Sequence, residues 1–487
     1  MQLLNVAYAQ NLWKGWSAGL DFRRAGAEGW FKRQQFYQSS FDLFTHYESP
    51  NERYQLYAYY LRNHLEQQEN GGVNNFDPAE NTIAQPTYLS TAENNQTDKG
   101  FLLRQQYYLS SLKKDTVGRI FSVGHSITYD NQGRSYFDSP SDSFYVNSFF
   151  DSTFTSDTTW YQRWTNKIFF TEDARSDNWT AGSFLSLGHE YFLFKENDSR
   201  SLVSGMNGQR EYFFVEGKGT TRLKSGFELS AYLRYVIPAG SIEFSFASLN
   251  ISKSILNNKL RVFGSWNGGR KKPEINIVDE RMYSNHFIWF NDFDTMRVNN
   301  YQAGIYSINK SFFLSGALTT TDNLIYYDST AHPNQTSESI SYYQLKLQKN
   351  FTWRNWIFEN TVEYQKADNE NVIHVPEWMT GHSLCYEKYF FKSALFARIG
   401  FDVRYVSSYY ADRYMPALQQ FYLQYDKKTG GYVLTDFFIT FRVKASRFFI
   451  KMENLFNGVS AEPQFFRPDY PLTQRYLRFG LQLRFFD

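Results

Sequence analysis

Eleven charged residues recur at alternate positions of short apolar segments in this 487-residue chain. Arg234, Arg398, Arg404, Arg442, Lys451, Arg478 and Arg484 share that spacing with Glu228, Glu243, Asp402 and Glu453. Rows of opposite charge facing one another across water set up a transverse field, which favours small polar solutes and sets ion preference. The plainer alternative is that they pair between neighbouring strands and stiffen a wall, at roughly 0.2–1 kcal/mol per pair. The two readings are compatible. Hydrolytic chemistry has less support. "LGHEYF" sets His189 beside Glu190, and His125 adjoins Ser126, but consecutive strand residues point to opposite faces, so neither couple can act together. No H-E-x-x-H or Walker-type motif occurs, and the eight histidines are scattered without metal-ligand spacing. The expectation is a protein that is not an enzyme and has no cofactor or metal.

What would position those charges is a period of two, repeated in segments of about 9 to 14 residues, the length a tilted strand needs to cross a bilayer. In "LFARIGFDVRYV", Leu395, Ala397, Ile399, Phe401, Val403 and Tyr405 form one face, and Arg398, Gly400, Asp402 and Arg404 most of the other. "FELSAYLRY" divides into Phe227, Leu229, Ala231, Leu233 and Tyr235 against Glu228, Ser230, Tyr232 and Arg234. "FFITFRVK" divides in the same way. A basic residue at mid-membrane on a lipid face costs roughly 2–4 kcal/mol. Over about a dozen such positions that exceeds the ~5–15 kcal/mol stability of a domain. The charged face therefore meets water and the apolar face lipid. Open edges cannot be left in hydrocarbon, so the sheet must close.

The last segment, "RYLRFGLQLRFFD", extends the argument. It places Leu477, Phe479, Leu481, Leu483 and Phe485 toward lipid, with Phe486 following and Arg478, Gln482 and Arg484 on the other face. Such an ending resembles the signal read by the barrel-assembly machinery. Any last barrel strand must also look this way to face lipid.

Composition agrees with a wet-and-oily wall. Phe 47, Tyr 37 and Trp 11 make aromatics a fifth of the chain, yet the mean hydropathy is −0.55. That mixture suits lipid on one side, water on the other and aromatic girdles at both interfaces. The formal charge of +2 and the lack of a basic tract exclude a nucleic-acid partner. The single cysteine, Cys385, permits no internal disulfide and reads as a small apolar strand residue. No apolar run approaches the ~18 residues of a membrane helix.

Connections alternate in length. Short ones include "KAS" near Ala445, "FKS" near Lys392, "WRNW" near Arg354 and "INKS" near Lys310. Long ones cover 67–100, 130–160, 268–295, 327–337, 368–380, 411–432 and 457–473. "PAGS" at Pro238 to Ser241 is short where a long one is due, as either a short outer loop or a register slip. "QQENGG" at Gln67 to Gly72 reads as a hairpin exit in preference to an inward-folding constriction. The predicted fold is all-β: a transmembrane antiparallel outer-membrane β-barrel of roughly 20–22 strands, with short periplasmic turns and long extracellular loops. About 21 strand candidates can be counted, of which 210–222 and 259–267 are the weakest. An antiparallel ring wants an even number. Residues 1–487 are expected to be one barrel lacking N-terminal strand(s) and a signal peptide, since "AYAQ" has no basic and apolar stretch before it.

The stretches "LNVAYAQNLWKGWSAGLDFRRAGAEGWFKRQ", "FTHYESPNERYQLYAYYLRNHLEQQENGG", "GFDVRYVSSYYADRYMPALQQFYLQ" and "GGYVLTDFFITFRVKASRFFIKMENLF" resemble the putative porin family of Bacteroidota outer membranes. The C-terminal strand is also similar to that of TonB-dependent transporter barrels. The resemblance implies a channel in the bacterial outer membrane for passive diffusion of small hydrophilic solutes or ions. The alternative is a structural or accessory barrel with a plugged lumen, a subunit of a larger outer-membrane complex. A TonB-dependent transporter is weaker, because the resemblance would require a plug domain of about 130 residues ahead of the barrel. Expected partners are outer-membrane lipid and lipopolysaccharide, the barrel-assembly machinery, and a protein partner in the accessory case.

Overall fold

A computed structural model describes residues 2–109, 117–139, 144–198, 207–237, 244–271, 277–457 and 463–483. Twenty-one strands join into one sheet. In chain order they are β1 Gln2–Trp13, β2 Trp16–Ala27, β3 Phe36–Glu48, β4 Tyr54–Gln68, β5 Glu93–Tyr108, β6 Gly118–Asp138 and β7 Thr155–Arg175. Then come β8 Trp179–Asp198, β9 Asn207–Leu223, β10 Phe227–Ile237, β11 Phe244–Ile255, β12 Leu260–Lys271, β13 Met296–Ser307 and β14 Phe312–Asp322. The last seven are β15 Ile340–Trp353, β16 Trp356–Ala367, β17 Trp378–Phe390, β18 Leu395–Val406, β19 Tyr432–Val443, β20 Ser446–Glu453 and β21 Tyr476–Gln482. Each pairs antiparallel with the next, as in the full ladders of β2 with β3 and of β18 with β19. Among the described residues β1 pairs only with β2, and β21 only with β20. At the outer end, the ring of Trp30, just after β2, lies 4.3 Å from that of Tyr476 on β21, which brings the two ends of the sheet together.

Alternation of side chains decides which face is which. Along β10, Leu229, Leu233, Tyr235 and Ile237 are exposed while Glu228, Ser230, Tyr232 and Arg234 are half-buried. With lipid in place of vacuum around the exposed set, this is the apolar-out, polar-in pattern of a membrane barrel. Connections after odd-numbered strands are mostly short turns, several with a residue at positive φ, as at Lys310, Arg354 and Lys444. Those after even-numbered strands form the outer side. "PAGS" lies outside the described residues, and the ladders of β10 with β9 and with β11 run without a slip of register. The weakly signalled segments 210–222 and 259–267 lie within β9 and β12.

The loop estimated at 130–160 is shorter than the sequence implied, because β6 runs to Asp138 and β7 starts at Thr155. Likewise β5 begins at Glu93. These extensions, such as "ENNQTDKG", rise beyond the hydrocarbon and are polar on both faces, so they carry no apolar alternation to mark them as strand.

The outer loops share one apolar core. Leu89 and Ala92 from the loop after β4, Met282, Phe287 and Trp289 after β12, Tyr327 and Ala331 after β14, and Ala417, Leu418 and Tyr422 after β18 pack together. A single helical turn, Ile277–Glu280, sits among them.

Candidate functional site

The inner wall carries two ion-paired ladders. The first runs across β6 to β10. Arg163 Nη2 is 2.7 Å from Asp130 Oδ2, and its Nε is 3.8 Å from Glu190 Oε1. Arg234 joins Glu190 through one guanidinium nitrogen and Glu216, at 3.2 Å, through the other. Glu216 also takes Lys167 Nζ at 2.9 Å, the Ser186 hydroxyl at 3.1 Å and the Tyr232 hydroxyl at 3.2 Å. The Arg234 guanidinium lies 3.9 Å above the Phe214 ring. The side chains of Glu190 and Glu216 are only 4% and 7% exposed. Their alternation of sign lets every buried carboxylate find at least two cations or donors, which is the condition for keeping such charges out of water.

The second ladder lies on β18 to β21. Asp436, almost fully buried, is 2.7 Å from Arg404 Nη2 and 3.0 Å from Lys451 Nζ. Glu453 bonds the Tyr476 hydroxyl and lies 3.5 Å from Arg478 Nη2 and 3.9 Å from Lys451 Nζ. Here the cations are wet: the side chains of Arg404 and Arg478 are 55% and 53% exposed. Asp402 stands directly across from Asp436 and has no ion pair among the described residues. Nearby, Arg398 Nη1 pairs with Glu387 at 3.3 Å and its Nη2 with Glu359 at 3.8 Å. Arg442 Nη2 donates to the Tyr389 hydroxyl at 3.0 Å and stacks over Phe396. Glu228 lies between Arg222 Nε at 3.5 Å and Arg261 Nη2 at 3.0 Å.

Thus Arg404, Lys451, Glu453 and Arg478 meet in one ladder, Arg234 belongs to another, and Glu228 and Arg398 form smaller groups between them. Glu243, Arg484, Phe485 and Phe486 lie outside the described residues. Leu477, Phe479 and Leu481 are exposed on the outward face of β21, with Phe479 at 79%, and Leu483 is exposed just beyond its end. Sequence reasoning missed Asp130, Arg163, Lys167, Glu190, Glu216 and Asp436. The signal that could have found them is charge of opposite sign at like parity on successive strands. His189 and Glu190 do point apart: His189 Nε2 meets Glu211 on the outer face, while Glu190 joins the inner ladder.

Above the first ladder, the loop after β18 crosses the mouth to the opposite wall. Arg134, on the inner face of β6, donates to the carbonyls of Leu418 and Ala417 at 2.6 and 2.8 Å. Asn94 of β5 donates to Pro416 O at 2.9 Å and to Glu69 Oε1 at 2.8 Å, and the Tyr414 hydroxyl donates to the same Glu69 oxygen at 3.0 Å. Burial pushes the Glu69 carboxyl up to about 7, against the pull of those two donors and of the Arg134 charge. The "QQENGG" stretch is therefore more than a hairpin exit. Glu69 and Asn70 are buried under the strap, and Gly72, at φ +100°, passes so close to Asp469 that a Cβ would lie 2.7 Å from its side chain. Among the described residues no cluster of His, Cys, Asp and Glu is placed to hold a metal ion.

A family model described as "Putative porin" matches residues 1–487. The chain belongs to that family. It is thereby a transport-related barrel of the bacterial outer membrane. No curated protein matches this porin by sequence. Solved structures share its fold. The ferric-catecholate import receptor Fiu of E. coli K12 aligns with a TM-score of 0.63 at 13% identity, over 99% of the porin and 79% of the receptor. The siderophore receptor PirA of Acinetobacter baumannii gives 0.66 at 11% identity, over 98% and 77%. The copper transporter OprC gives 0.67 at 11% identity, over 98% and 77%.

Proposed function

We propose that this porin is a passive channel for small hydrophilic solutes or ions, with an outer mouth narrowed by the strap of residues 407–431. The observation that carries this reading is the inner wall itself. Charged and hydroxyl side chains line it from β6 to β10 and again from β18 to β21, and Arg404 and Arg478 of the second ladder stand half in water. An aqueous path with fixed charges of both signs admits polar solutes and discriminates ions weakly. The proposal transfers neither siderophore nor copper uptake from the structural neighbours, whose likeness is one of fold.

A second reading has one specific observation in its favour. Leu89 and Leu418 are completely buried within a core shared by four outer loops, as they would be in a sealed accessory barrel held in a larger complex. Purified protein in a planar lipid bilayer separates the two. Stepwise ohmic conductance supports the channel. A silent wild type that conducts once residues 411–428 are replaced by a short Gly-Ser linker supports the plugged barrel. Silence in both overturns the channel.

A further inference from the structure

The outward face of β2 to β7 has a feature that neither solute passage nor wall stiffening uses. Cross-strand register aligns Tyr60 with Phe101, Phe101 with Tyr129 and Tyr129 with Trp164. The last two rings lie 4.4 Å apart between centroids. A continuous aromatic row of this kind sits at the boundary between hydrocarbon and head groups. Two residues higher on the same face, about 7 Å along the strands, the row becomes Arg62, Lys99, Asn131 and Gln162.

Arg62 and Lys99 are thus direct cross-strand partners of like charge, a pairing that destabilises a sheet unless something neutralises it. Both are exposed and neither has an ion pair among the described residues. Arg24 joins them on the outward face, one row higher and also exposed, opposite Ser39 and in line with His64. The acids close by in sequence do not serve. Asp21, Asp42 and Asp98 have the opposite parity and face inward, while Glu66 is taken by His64 Nε2 at 2.9 Å. Three uncompensated cations at head-group depth, beside the amides of Asn131 and Gln162, are complementary to an anion that arrives from the membrane side.

We propose that Arg62, Lys99 and Arg24 form a binding site for the phosphate group of a phosphorylated glycolipid in the outer leaflet. Arg62 and Lys99 grip the phosphate, Arg24 supports it from above, and the aromatic row beneath packs against the sugar and the start of the acyl chains. The ligand relieves the like-charge repulsion that the empty wall carries.

The test is native mass spectrometry of the purified porin in non-ionic detergent, titrated with bis-phosphorylated lipid A, with dephosphorylated lipid A and with inorganic phosphate. The wild type should hold the phosphorylated lipid about tenfold more tightly than either a doubly substituted R62Q/K99Q protein or the dephosphorylated lipid allows, the scale expected for loss of charge-assisted bonds. Arg24→Gln alone should weaken binding by a smaller factor. The double variant should keep the heat-resistant, compact migration of a folded barrel, because it removes a repulsion. Equal binding by wild type and double variant, or equal binding of the two lipids, overturns the site. Inorganic phosphate held as tightly as the lipid overturns the assignment to a lipid.

Discussion

The two inner ladders use the same residue types and reach opposite ends. On β6 to β10 the carboxylates of Glu190 and Glu216 are buried beside Phe214 and Tyr232, and Arg163 and Arg234 are each shared between two acids. On β18 to β21 the buried member is one aspartate, Asp436, and its arginine Arg404 stands half in water. Charge that is desolvated must be neutralised in place and becomes wall. Charge that is solvated stays available to whatever passes. Alternation alone cannot separate the two cases, since both ladders follow the same period.

The sharpest way to break the comparison is Arg234→Met. It leaves Glu190 and Glu216 with one cation each in a dry setting, at a cost of roughly 3–5 kcal/mol. The expected readout is a marked fall in the temperature at which the barrel loses its compact migration on gels. Next in size is the strap. Glu69 titrates near pH 7 rather than at its ordinary 4.5, so the packed strap favours the protonated form. Its stability is full below about pH 4.5, declines as pH rises through 7, and then stays low. The span is about 3 kcal/mol. Amide exchange across residues 411–424 should therefore quicken from pH 5 to pH 8 beyond the intrinsic rate, and Glu69→Gln should abolish the excess. Burial raises the facing Tyr414 and Tyr470 hydroxyls still further above that window. An exchange profile unaffected by the substitution would sink this account.

Smaller effects belong to the wet ladder. Arg404→Gln should cost less stability than Arg234→Met, because Arg404 is itself half in water and Asp436 keeps Lys451 at 3.0 Å, yet move the reversal potential in a salt gradient toward cations, because Asp402 and Asp436 then dominate their stretch of wall. Asp402→Asn should move it the other way, by less, with stability within ~0.5 kcal/mol of wild type. If Arg404→Gln instead destabilised the barrel as strongly as Arg234→Met, the distinction between the ladders would fall.

Much of the architecture was legible in residue order. Period-two runs such as "FELSAYLRY" carry both the strand and its faces, and the short turns at Lys310, Arg354 and Lys444 mark which end is which. Segments above the hydrocarbon were not legible, since "ENNQTDKG" has no apolar face to betray it. Nor was the partnership of Glu190 with Arg234, which lies forty-four residues away and depends on the offsets accumulated over two hairpins. The inward turn of "QQENGG" was hidden for a related reason: what buries Glu69 is Tyr414, far along the chain and fixed only when the sheet has curled.

The wall is uneven in height. β6 and β7 run for 21 residues each, while β13 and β14 run for 12 and 11. A bulky object drifting over the cell surface therefore meets a parapet on the side of β6 and β7 and a lower sill on the side of β13 and β14. Encounters with the mouth are directional: large ligands, antibodies or phage fibres reach the strap from the sill, whereas water and ions are indifferent to it.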